Sequence, residues 1–87
     1  MKELDLNLLD RLTRAPGVSG REEAVAEIVR SAIPAGWEIV RDALGNMAAH
    51  KPGAGRRVAV LAHMDEVGLI VRRITPQGFL LVERMAA

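Results

Sequence analysis

Apolar positions change their spacing along this chain, and each spacing implies a different element. Leu4, Leu8 and Leu12 recur every fourth residue, with Leu9 widening the stripe. That period belongs to a helix with one face to bury. Asp5 is placed to cap it, so a helix is expected over Leu6 to Arg14, ended by Ala15-Pro16-Gly17. Ser19-Gly20-Arg21-Glu22 has the form of a capping box, in which the serine hydroxyl and the glutamate carboxylate satisfy free donors at the start of a second helix. That helix is expected to run to about Ser31, presenting Ala24, Val25, Ile28, Val29 and Ala32 to the core. Pro34-Ala35-Gly36 closes it.

Strand patterns follow. Trp37-Glu38-Ile39-Val40-Arg41 is short and rich in β-formers, and Met47-Ala48-Ala49-His50 is its expected partner across a turn at Gly45-Asn46. After the loop Pro52-Gly53-Ala54-Gly55 comes an unbroken apolar run, Val58-Ala59-Val60-Leu61-Ala62. Its length and β-branched content predict a strand buried on both faces, as in a parallel α/β sheet. Leu69-Ile70-Val71-Arg72-Arg73-Ile74 and Phe79-Leu80-Leu81-Val82-Glu83-Arg84 flank Pro76-Gln77-Gly78, which predicts a hairpin.

The 87 residues have room for one small domain, expected to bury about 60–65% of its unfolded surface. Apolar residues make up 49% and charged residues 26%, with a net charge of +1, which argues against disorder. Basic residues form only short pairs, Arg56-Arg57 and Arg72-Arg73, beside one Trp and one Phe, so a nucleic-acid surface has no support. With no cysteine, disulfides and thiolate metal sites are excluded, and any metal must use His, Asp or Glu. No segment approaches ~18 continuous apolar residues, and Met1-Lys2-Glu3-Leu4-Asp5 has no apolar signal core. No membrane partner and a cytoplasmic location are therefore expected.

Candidate chemistry gathers where the apolar run ends, at His63-Met64-Asp65-Glu66. Ligands in open α/β sheets bind outside the carboxyl ends of strands. His63 and Asp65 lie two apart, so an extended backbone projects them to the same side and Glu66 to the other. A neutral imidazole can ligate a divalent metal, and a nearby carboxylate can orient it. His50 reads as a surface residue at a strand end. Asp42 to Asn46 reads as a turn, because Asp, Gly and Asn suit turns for backbone reasons. Pro16 to Gly20 joins two helices with no strand before it, which argues against a phosphate loop.

Ala62-His63-Met64-Asp65-Glu66-Val67-Gly68 resembles the first metal-site motif of the glutamyl and tetrahedral (deblocking) aminopeptidases, dinuclear zinc or cobalt exopeptidases of which some members are labelled endoglucanases. Pro16-Gly17-Val18-Ser19-Gly20-Arg21-Glu22 and Asp42-Ala43-Leu44-Gly45-Asn46 agree with the same family in order and approximate spacing. The resemblance implies that His63 is a metal ligand. It implies that Asp65 belongs to the catalytic machinery, acting behind that ligand to tune and orient it, and that Glu66 has no assigned catalytic role. It further implies the N-terminal part of a zinc-exopeptidase-like α/β sheet with two helices over residues 1–67. Residues 68–87 would begin an inserted β-barrel domain used for oligomerisation, a homo-oligomer being expected.

The function implied is metal-dependent removal of N-terminal residues from peptides. In the family a bridging Asp, adjacent Glu residues (one the general base), another acidic ligand and a final His come from later in the chain. None has a counterpart here, so at most a partial metal site and an inactive isolated chain are expected. The other reading is a non-catalytic interaction or oligomerisation module built on the same fold start. Glycan cleavage is disfavoured, because Asp65 and Glu66 are adjacent and on opposite faces rather than across a sugar bond.

Overall fold

The computed structural model describes residues 4–85. In chain order these form α1 (Leu6–Arg14), α2 (Glu23–Ala32), β1 (Glu38–Arg41), β2 (Met47–His50), β3 (Gly68–Ile74) and β4 (Leu80–Met85). The result is an α/β arrangement of two helices and two separate two-stranded antiparallel sheets, β1–β2 and β3–β4.

Helix α1 has the expected bounds and the expected cap, with Asp5 accepting from the Leu8 amide at 3.0 Å. Its last turn is tied by Arg14 to Asp10 at 2.8 Å. Leu8 and Leu12 are half-buried, while Leu4 and Leu9 stay exposed. Helix α2 departs from the capping-box expectation. Its N-cap is Glu22, which makes no side-chain bond to the helix. Glu22 instead accepts from the Gly20 amide, and Ser19 is turned away to a distant partner described below. Val25 and Ala26 are the buried positions of α2, Ala24, Ile28 and Val29 are half-buried, and Ala32 is exposed. The buried stripe is rotated from the expected one because α2 packs on the loop at Gly17 as well as on α1: a Cβ on Gly17 would lie 2.9 Å from Val25 Cγ2.

The first hairpin pairs Glu38 with His50 through to Arg41 with Met47. Its turn is built by Asp42, whose Oδ1 accepts from the Leu44 and Asn46 amides at 2.9 Å and whose Oδ2 accepts from Asn46 Nδ2 at 2.7 Å. Gly45 takes φ +89°, a left-handed conformation open to glycine at no steric cost. The second hairpin pairs Gly68 with Met85 and Ile74 with Leu80, with a bulge between Val71 and Arg73. Thr75 closes its turn, its amide donating to Phe79 O and its hydroxyl accepting from the Phe79 amide.

The apolar run at residues 58–62 corrects the sequence reading. It joins no ladder among the described residues, and Val58, Val60 and Leu61 are 83%, 94% and 86% exposed. A strand buried on both faces needs neighbours in its sheet and helices across it. Here the short connections at 42–46 and 75–79 fold each strand pair onto itself as an antiparallel hairpin. No strand among the described residues pairs with the run.

Candidate functional site

Two loops meet to make the candidate site, and both are held by the main chain before any side chain is considered. The Glu66 amide donates to the Gly17 carbonyl at 2.8 Å. A Cβ on Gly68 would overlap Val18 Cγ1, so Val18 is packed directly on the Gly68 backbone. Gly17 is buried beneath Met64, and a Cβ there would come within 3.5 Å of the Met64 carbonyl. The first and third of the motif segments read from the sequence are thereby docked on each other. The remaining one, Asp42 to Asn46, is a hairpin turn with its own bonds.

On this frame His63 and Asp65 face each other, as their spacing predicts. His63 Nδ1 lies 3.0 Å from Asp65 Oδ1 and 2.9 Å from the Asp65 carbonyl oxygen. Both partners are acceptors when Asp65 is ionised, so Nδ1 must carry the proton in these bonds. In the neutral ring this leaves Nε2 with a free lone pair, and the side chain is 83% exposed. Nε2 is therefore free to ligate a cation. Glu66 contributes its amide to the docking, and no side-chain bond of Glu66 belongs to the site.

Ser19 is the residue that sequence reasoning missed. Its hydroxyl donates to Asp65 Oδ2 at 2.6 Å across 46 positions of sequence. The capping-box pattern pointed it at α2, and the available signal for the alternative was that Ser19 sits inside a family-like motif. The Ser19 hydroxyl, and after it the bond to His63, hold the Asp65 carboxyl below the usual carboxylate range.

The donor set is small. Among the described residues no three His, Asp or Glu side chains converge in a way that could hold a metal ion. His50 lies away from the site on β2, 3.8 Å from Glu38. The residues present fit one edge of a cation site: a single exposed imidazole nitrogen whose ring is anchored from behind by a carboxylate. No helix among the described residues is long and apolar enough to cross a membrane.

Comparison with known proteins finds one matching family and several relatives. Residues 45–85 match the M42 glutamyl aminopeptidase family. The chain is 44% identical over 82 residues to a candidate aminopeptidase of Acetivibrio thermocellus, an alignment covering 92% of this chain and 25% of that protein. It is 42% identical to the candidate aminopeptidase FrvX of Escherichia coli (strain K12), over 88% of this chain and 22% of that one. It is 37% identical to the lysyl aminopeptidase of Pyrococcus furiosus, over 91% and 23%. The chain thus spans about a quarter of the length of the curated relatives it matches. By sequence, then, it resembles the N-terminal part of the M42 glutamyl aminopeptidase family, over the docked loops as well as the hairpin that follows them.

Proposed function

We propose that this chain forms the N-terminal part of a metal-dependent aminopeptidase, one that removes N-terminal residues from peptides. One observation carries the reading: His63 is anchored through Nδ1 on Asp65 and presents Nε2 to solvent. In this role His63 is a ligand to a divalent zinc or cobalt ion, and Asp65 fixes the ring and raises its basicity. When bound, such an ion supplies Lewis-acid polarisation of the scissile carbonyl. Among the described residues no group of three ligands comes together, so on this reading the isolated chain is inactive. A homo-oligomer built partly from the β3–β4 hairpin belongs to the same reading.

In the complete enzyme, His63→Ala is expected to lower bound zinc or cobalt and to abolish release of N-terminal residues. Unchanged metal content and activity in that variant would remove His63 from the site. A second reading has its own support in the exposure of residues 58–61 and of both faces of β3–β4. On that reading the chain is an interaction or oligomerisation module without chemistry. The isolated chain would then pair through its open strand edges.

A further inference from the structure

The loop at residues 17–20 is docked on the site by contacts that do not involve the Ser19 side chain. The Gly17 carbonyl takes the Glu66 amide at 2.8 Å, and Val18 packs on Gly68. A tight turn then sets the direction of Ser19. The Arg21 amide donates to the Val18 carbonyl at 2.9 Å, and Gly20 adopts φ +84°. From that fixed turn the Ser19 hydroxyl meets only one partner, Asp65 Oδ2.

The terminal torsion of an aspartate is soft and roughly two-fold, so a carboxylate with one bond swings. Asp65 has both oxygens committed, Oδ2 to the Ser19 hydroxyl at 2.6 Å and Oδ1 to His63 Nδ1 at 3.0 Å. We infer that Ser19 is a positioning residue, which locks the Asp65 carboxylate and thereby keeps the His63 proton on Nδ1 and Nε2 bare. The chain of contacts is Ser19 hydroxyl to Asp65 to imidazole, with the proton placed at one named atom and no bond made or broken. The inference rests on the metal-ligand reading only for its consequence, that the bare nitrogen is the ligating one.

The test is the tautomer of His63, read from long-range nitrogen–proton correlations of the 87-residue chain with 15N-labelled histidine. A His50→Gln background leaves one imidazole, and the correlations are read on its neutral form. The parent is expected to show a protonated Nδ1 and a bare Nε2. Ser19→Ala is expected to lower the ratio of the Nδ1-protonated to the Nε2-protonated form several-fold, while Ser19→Thr restores it. Exchange protection of the Glu66 amide reports loop docking in each variant. An unchanged tautomer ratio in Ser19→Ala overturns the inference. So does loss of the Glu66 protection, since Ser19 would then be holding the loop rather than the carboxylate. The ligand reading is tested separately by the metal content of His63→Ala in the complete enzyme: unchanged content removes that reading and leaves the Ser19 result standing.

Discussion

At the scale of single residues, the site depends on close approach. Gly68 is not in a left-handed conformation, yet a methyl group there would enter the volume of Val18 Cγ1. Valine is stiff at χ1, so the overlap cannot be relieved by a small rotation. Gly68→Ala is expected to cost about 1–3 kcal/mol, the range for overpacking, and to undock the loop from Glu66. Val18→Ala in the same chain is expected to recover most of that loss, because it removes the overlapping carbon. Urea melts of the two single variants and the double variant measure the coupling. Additive losses would mean that the two residues do not meet.

At the scale of elements, the β1–β2 hairpin is organised by one side chain. Asp42 is held below its ordinary carboxylate value by the Asn46 side-chain amide first, and by the turn amides of Asn46, Leu44 and Gly45 after it. A depressed folded-state value means the contribution is present above the unfolded-state value and is lost as pH falls through the folded one. The hairpin is therefore expected to loosen at acid pH, followed through the Asn46 amide shift. Asn46→Ala removes the leading cause and moves the Asp42 titration upward, toward the ordinary value. An unmoved titration would show that the turn amides alone hold the carboxylate. Helix α1 and the β2 strand follow the same local logic, and their bounds match those read from apolar spacing and the Asp5 cap. Ser19 breaks it, because a capping box and a turn that aims serine elsewhere share the same residues.

At the scale of the whole molecule, surface outweighs core. The accessible area is 7934 Å² and the radius of gyration 17.1 Å. A folded monomer of this mass exposes roughly 5,000 Å², and one of this length has a radius near ~12 Å. The expected burial of about 60–65% is not reached; roughly 40% of the unfolded-chain area is covered, on the same scaling. Only Val25 and Ala26 are buried among the apolar side chains described, while Val60, Leu61, Phe79 and Leu69 lie open. Exposed apolar surface of this extent, with unpaired strand edges, drives association. The isolated chain is expected to self-associate, with a light-scattering mass that rises with concentration. A monomer at high micromolar concentration would count against both the hairpin interface and the interaction-module reading.

Apolar period, caps and turn residues were enough to place α1, both hairpins and the facing of His63 and Asp65, since each depends on bonds between residues close in sequence. The state of residues 58–62 was not legible in this way. A buried strand and an open one share the same apolar run, and flanking partners alone distinguish them. Nor was the task of Ser19, because a hydroxyl bonds to whichever acceptor the fold brings near. The docking of Gly17 on Glu66 and of Val18 on Gly68 brings in Asp65, 46 residues away, and turns a helix-capping pattern into part of a site.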